Sequence, residues 1–255
     1  MELYKDTQNS KTNGESIISI RNLKKSFGKH DVLKDVSLQL NKGENLVVLG
    51  KSGTGKSVLI KCIVGLLYAD EGEIIVLNQQ INNLNNRELQ QLRQKVGFLF
   101  QSGALYDSMT VKENLEFPLR RIKKHLSEKE IKAKIDEALE NVGLTESLNK
   151  MPSELSGGMR KRVSLARTIV VDPEILLYDE PTTGLDPLTS DGISSLINEI
   201  QVKYKTSSII ITHDIKCATQ TANRVVMLNE GIVYKEGKID DFMKSTDDMI
   251  KAFFN

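Results

Sequence analysis

The 255-residue chain is 39% hydrophobic and 27% charged, a balance that supports a sizeable core and excludes extended disorder or dependence on disulfide or metal staples. Its net charge of +1 leaves no basic surplus for a polyanion, so no nucleic-acid partner is expected. The longest apolar run, over residues 58–68, is interrupted by Lys61 and falls short of the ~18 residues that span a bilayer.

In chain order, residues 1–15 are polar and read as a flexible tail without the apolar core of a signal peptide. Strands are expected over residues 17–20 and 32–40, the second alternating apolar and polar residues. Residues 45–49 (Asn-Leu-Val-Val-Leu) form a nearly continuous apolar run, the pattern of a parallel strand buried on both faces. A glycine-rich loop and a helix over residues 56–67 follow, then strands over 73–77 and 96–100. Residues 110–150 are charged and helix-favouring, with Ile131, Ile135, Ala138, Leu139 and Val142 at helical spacing. A second α/β stretch contains helices ending near residue 171 and spanning 185–203, strands at 174–178 and 208–212, and a closing hairpin around Asn229-Glu230-Gly231. Residues 241–255 read as a short amphipathic helical segment. The alternation of strands and helices predicts an α/β fold with a mainly parallel sheet. Cys62 and Cys217 have no metal or disulfide spacing, read as apolar core residues and fit a reducing compartment.

Gly50-Lys51-Ser52-Gly53-Thr54-Gly55-Lys56-Ser57 matches GxxxxGK[ST] in full, between a buried strand and a helix. Successive backbone amides in such a loop form an anion nest at a helix N-terminus. Lys56 is placed for the β- and γ-phosphates, and the Ser57 hydroxyl for Mg²⁺. Alone, the loop says only that a nucleotide phosphate binds. The strand at 174–178 ends in Asp179-Glu180, and ligands of open parallel sheets bind beyond the carboxyl ends of strands. Asp179 can face the metal, and Glu180 can polarise an attacking water. Without the phosphate loop, two acids at a strand end would be ordinary solvated residues.

Leu155-Ser156-Gly157-Gly158-Met159 opens a second helix whose N-terminus suits phosphate, a feature an ordinary phosphate-loop enzyme does not need. Here the sequence resembles the ABC (ATP-binding cassette) ATPases, whose signature is LSGGQ. Further motifs agree in order over residues 17–240. Gln101 resembles the Q-loop glutamine, Thr183-Gly184-Leu185-Asp186 the D-loop, and His213 the switch histidine that senses the γ-phosphate. Phe27 stands where an adenine-stacking tyrosine is usual. A lone Gln101 or His213 would carry no such meaning, and His30 and His125, which match no motif, read as solvated. Met159 departs from the signature glutamine and cannot make its hydrogen bonds.

The resemblance implies a phosphate-loop NTPase core over residues 16–240, with an antiparallel β subdomain and a helical insertion at about 102–165. It implies hydrolysis of ATP with Mg²⁺ held through Ser57, Gln101 and Asp179, and a head-to-tail homodimer with two ATP molecules at its interface. Ser156, Gly157 and Gly158 of one copy would close on the nucleotide of the other. A separate integral membrane permease is implied, with the chain peripheral on the cytoplasmic face of a bacterial inner membrane. The segments over residues 100–111 (with Gln101-Ser102-Gly103-Ala104-Leu105-Tyr106) followed by 116–120, and over residues 151–162 (with Ser156-Gly157-Gly158-Met159-Arg160-Lys161-Arg162), are similar to those of the Mla (maintenance of lipid asymmetry) phospholipid transporter ATPases and related systems. That similarity implies phospholipid transport, an MCE-domain protein and a small STAS-domain regulator. A small-solute importer or exporter shares the same ATP chemistry and remains an alternative, as does a soluble non-transport ABC protein.

Overall fold

The apolar runs at residues 45–49, 174–178 and 208–212 become the centre of one sheet. The computed structural model describes residues 14–254; of the tail expected over residues 1–15, residues 1–13 lie outside the described residues. The N-terminal half contains β1 (Ser16–Phe27), β2 (His30–Asn41), β3 (Asn45–Leu49), α1 (Lys56–Ile63), β4 (Glu71–Val76), β5 (Gln79–Gln80), α2 (Asn86–Arg93) and β6 (Val96–Leu99). Then come α3 (Val111–Ile122), α4 (Glu128–Asn141), α5 (Gly157–Ile169), β7 (Ile175–Asp179), α6 (Pro187–Tyr204), β8 (Ser207–Thr212) and α7 (Ile215–Thr221). The chain closes with β9 (Arg224–Asn229), β10 (Ile232–Gly237), α8 (Ile239–Met243) and α9 (Asp248–Phe254).

Across the sheet the order is β5-β4-β1-β2-β10-β9-β3-β8-β7-β6. From β9 to β6 all neighbours are parallel, whereas β1, β2, β4 and β5 pair antiparallel. The β9–β10 hairpin joins the halves, because β10 pairs antiparallel with β9 and parallel with β2. Successive side chains of a strand point to opposite faces, and β3 shows the result. Val47 and Leu49 enter one apolar cluster with α3, α4, α5 and α6 residues. Leu46 and Val48 enter the other with α1, α2, β1 and β2 residues. Every residue of β3, β7 and β8 is buried.

Several boundaries differ from expectation for local physical reasons. β1 runs on to Phe27 through a polar stretch, because ladders to β2 and β4 on either side support it. α1 stops at Ile63, where the Gly65 amide turns back to the Cys62 carbonyl and the Leu66 amide to Lys61. α2 was not expected, yet its start is written in the sequence: Asn85 and Glu88 form a reciprocal capping box. The C-terminal segment is two short helices rather than one. Asp247 caps the second by accepting from the Met249 and Ile250 amides. Phe242 and Ile250 are buried while Met243 and Met249 are exposed. Both cysteines are buried free thiols pushed up to about 11 by burial.

The junction of the two halves rests on Arg224, at the start of β9. Its Nε donates to Glu44 Oε1 at 2.7 Å, and its Nη2 donates to Glu44 Oε2 at 2.9 Å and to the Gln39 carbonyl at 2.6 Å. It also pairs with Glu236. The turn beyond β9 holds Glu230 and Gly231 at φ +47° and +80°. The Gly231 carbonyl accepts from the Lys34 amide at 2.8 Å, and a Cβ on Gly231 would lie 2.6 Å from the Val32 carbonyl oxygen. Removing one partner of a buried ion pair costs about 3–5 kcal/mol. Arg224→Met is therefore expected to lower the thermal midpoint by roughly 10 °C. Restoring a cation with Arg224→Lys should return only part of that loss, because the bidentate fork is absent; calorimetry on the three proteins checks both.

Candidate functional site

Four parallel strands end at one edge of the sheet, and each delivers a residue singled out by sequence. β3 leads into Gly50 and the glycine-rich loop, β6 into Gln101, β7 into Asp179 and Glu180, and β8 into His213. A cavity of about 530 Å³ opens there. Its floor is the loop, through Lys51, Ser52, Gly53, Gly55, Lys56 and Ser57, and Gln101, Glu180 and His213 stand around it. Gly50 and Thr54 shape the loop without lining the cavity; the Thr54 hydroxyl donates to the Lys51 carbonyl at 2.9 Å.

The polar groups form two sets, one centred on Glu180 and the other joining Ser57 to Asp179. The Lys56 ammonium donates to the Gly50 carbonyl at 2.6 Å and the Lys51 carbonyl at 3.0 Å, and lies 3.5 Å from Glu180 Oε1. Ser57 Oγ donates to Asp179 Oδ1 at 3.1 Å. Glu180 Oε2 accepts from the Thr183 hydroxyl at 3.1 Å and sits 2.9 Å from His213 Nδ1. Glu180 itself has φ +49°, a left-handed backbone that a non-glycine residue adopts at a cost. Burial holds the Lys56 ammonium below its ordinary pKa. The hydroxyl, carboxylate and amide oxygens of Ser57, Asp179 and Gln101 are hard donors, and that set fits Mg²⁺. The adjacent loop amides and Lys56 fit phosphate.

The signature stands elsewhere. Ser156 caps α5 by accepting from the Met159 amide at 3.2 Å. Ser156 and Gly157 are exposed, and neither they nor Gly158 line the chain's own cavity. Gly158 is constrained from within: a Cβ there would meet Thr189 Cγ2 of α6 at 2.5 Å. Met159 packs half-buried against the apolar cluster, a contact that needs no hydrogen bond. Phe27 is 48% exposed at the end of β1 with Lys25 Nζ 5.5 Å from its ring centroid, and it does not line the cavity. Val32 of the neighbouring strand does. His30 and His125 are exposed.

Sequence reasoning missed Val32, Ala252 and Phe253, which line the cavity, and Lys161, whose ammonium donates to the Gln101 carbonyl at 2.6 Å. Val32 lies in a strand that was expected, but nothing local says which strand faces the loop. Ala252 and Phe253 arrive through the packing of α9, which no motif announces.

Comparison with known proteins places this geometry. Residues 33–183 match the family model described as ABC transporter. The methionine import ATP-binding protein MetN of Campylobacter jejuni is 38% identical over 252 residues, covering 93% of this chain and 75% of that protein. The intermembrane phospholipid transport system ATP-binding protein MlaF of Haemophilus influenzae is 37% identical, covering 94% and 90%. Among solved structures, the dimeric post-hydrolysis state of the cassette MJ0796 bound to ADP and Pi superposes with a TM-score of 0.79 at 33% identity, covering 87% of this chain and 98% of that one.

The carboxylate of Asp179 is held above the ordinary range, first by burial and then by neighbouring Glu180, against the Ser57 hydrogen bond and the fields of Lys61 and Lys161. A carboxyl whose folded pKa is raised binds more protons folded than unfolded between the two values, so stability falls as pH rises through that window. Asp179→Asn keeps an acceptor for Ser57 and removes the buried charge. The variant is expected to melt a few degrees above the wild type at pH 8, with the gain shrinking as pH falls towards the ordinary carboxylate pKa. Thermal melts of the nucleotide-free proteins across that range check the sign.

Proposed function

Because the chain belongs to the ABC transporter family, we propose that its cavity binds ATP and Mg²⁺ through the residues just described and that hydrolysis drives phospholipid movement through a separate membrane permease. ATP hydrolysis coupled to transport is the activity of the chain. In the proposed site the loop amides and Lys56 hold the β- and γ-phosphates, and Ser57, Asp179 and Gln101 hold Mg²⁺, which would neutralise phosphate charge. Glu180 polarises the attacking water, and His213, in hydrogen-bond contact with it, senses the γ-phosphate side of the pocket.

The exposed Ser156 and Gly157, set apart from the chain's own cavity, support a head-to-tail dimer in which they close on the partner's nucleotide. Among the described residues no helix is long and apolar enough to cross a membrane, and we place the chain on the cytoplasmic face of one, against its permease.

The observation that carries the lipid reading is that the two distinctive segments meet. Lys161 of the second segment reaches the Gln101 carbonyl of the first at 2.6 Å, and further along the same helix Arg167 Nη1 reaches the Ala104 carbonyl at 2.8 Å. Tyr106, 45% exposed, stacks edge-on with Phe117 at 5.3 Å and presents an aromatic surface suited to a permease helix. The resemblance of both segments to Mla-type ATPases, and the similarity to MlaF, support phospholipid as cargo with MCE- and STAS-domain partners. A second reading, a small-solute importer, is supported by the similarity to MetN.

Lys56→Ala should abolish nucleotide binding, whereas Glu180→Gln should bind ATP, cut turnover by about 10²-fold or more and trap an ATP-bound dimer. ATPase assays and light scattering with Mg²⁺ and ATP measure both; wild-type turnover in Glu180→Gln removes that residue from catalysis. In proteoliposomes with the permease, phospholipid should stimulate the ATPase and amino acids should not. Gene deletion should weaken the outer-membrane barrier to detergent in a Gram-negative host. An intact barrier with impaired uptake of one small solute would select the importer instead.

A further inference from the structure

Lys161 lies on α5, five residues after the helix cap Ser156, and is only 5% exposed. Its ammonium donates to two backbone carbonyls, Gln101 at 2.6 Å and Glu180 at 3.4 Å. Among the described residues it forms no ion pair within 4.0 Å. A buried ammonium with no carboxylate in contact is expensive even with the fields of Asp179 and Glu180 offsetting part of the cost, and a hydrophobic residue at this depth would serve packing alone. What the ammonium provides is a joint. One carbonyl belongs to the loop after β6 and the other to the residue with the left-handed backbone at the end of β7.

That backbone is held at two points. The Glu180 amide donates to the Ile211 carbonyl at 2.9 Å, and its carbonyl, the second point, accepts from both the Thr183 amide and the Lys161 ammonium at 3.4 Å. Between them they orient the Cα–Cβ bond that aims the carboxylate between Lys56 and His213. Further along α5, Arg167 reaches the Ala104 and Gly103 carbonyls. We propose that Lys161 is a positioning residue: it locks the Glu180 backbone to the Gln101 loop, so that the signature helix α5 sets the aim of the carboxylate. The proposal rests on the catalytic role of Glu180 proposed above. A shift of α5, whose N-terminus carries Ser156, then reaches Glu180 through one side chain, with about 7.5 Å of helix between the two positions.

Lys161→Met keeps the apolar stem and removes the donor. In the full-length chain it should lower kcat about tenfold or more while leaving KM for ATP within about twofold. ATP-dependent dimerisation, read by light scattering, and the thermal midpoint should be retained. Lys161→Arg, which restores a cationic donor, should recover most of the rate. In the Glu180→Gln background the same methionine substitution should leave the residual single-turnover rate unchanged, because the two act through one group. Unaltered kcat in Lys161→Met overturns the proposal. So does a joint loss of kcat, ATP affinity, dimer and thermal midpoint that Lys161→Arg fails to restore, or a further tenfold drop in the Glu180→Gln background. If Lys161→Met does not fold, Lys161→Gln read by the same kcat and KM split decides. Wild-type turnover in Glu180→Gln alone would instead identify the failure as that of the catalytic assignment.

Discussion

Both faces of β3, β7 and β8 are covered by side chains from helices and strands, so the only places where these strands can carry polar chemistry are their ends. The amino ends enter the fold from loops, and the carboxyl ends point to a common edge. Because the strands are parallel neighbours, residues separated by more than 150 positions in the chain, such as Lys51 and His213, stand beside one cavity. Fixing that edge also fixes the helix N-terminus behind the glycine-rich loop, since α1 can leave β3 in only one direction and still cover the sheet. Stability and chemistry are thus assigned to different parts of the same strands.

The edge itself works against stability. Lys56, Lys161, Asp179 and Glu180 are all buried, and burial moves Lys56, Lys161 and Asp179 towards their neutral forms. The charges are tolerated because they are interleaved: an ammonium approaches Glu180 from the side chain, and another approaches its carbonyl. The cost of such a set is offset by the apolar clusters on the two faces of the sheet.

Much of this was legible without coordinates. The glycine-rich loop, the two acids and the doubly buried strands are local patterns whose physical meaning is carried by neighbouring residues. The reciprocal cap of Asn85 and Glu88 is written in the sequence as well, but α2 behind it has few apolar residues to mark a helix. What could not be read depends on contacts between distant segments. The continuation of β1 through Lys24 and Lys25 follows from Asp70 and Glu71 across the ladder. Val32, rather than Phe27, reaches the cavity because of how β2 sits over the loop. The partnership of Lys161 with two main-chain oxygens has no side-chain partner that spacing could reveal.

The turn between β9 and β10 has a consequence for how variants of this protein are interpreted. Gly231 is 174 residues beyond Ser57 in the chain, the difference of the two positions, and contains no reactive group. Yet its missing side chain is what lets the Val32 carbonyl approach, and Val32 is part of the cavity wall. A side chain at Gly231 would therefore press on the cavity wall through the neighbouring strand, far from it in sequence. A smaller side chain at position 32 would not relieve that pressure, because the oxygen it meets belongs to the main chain.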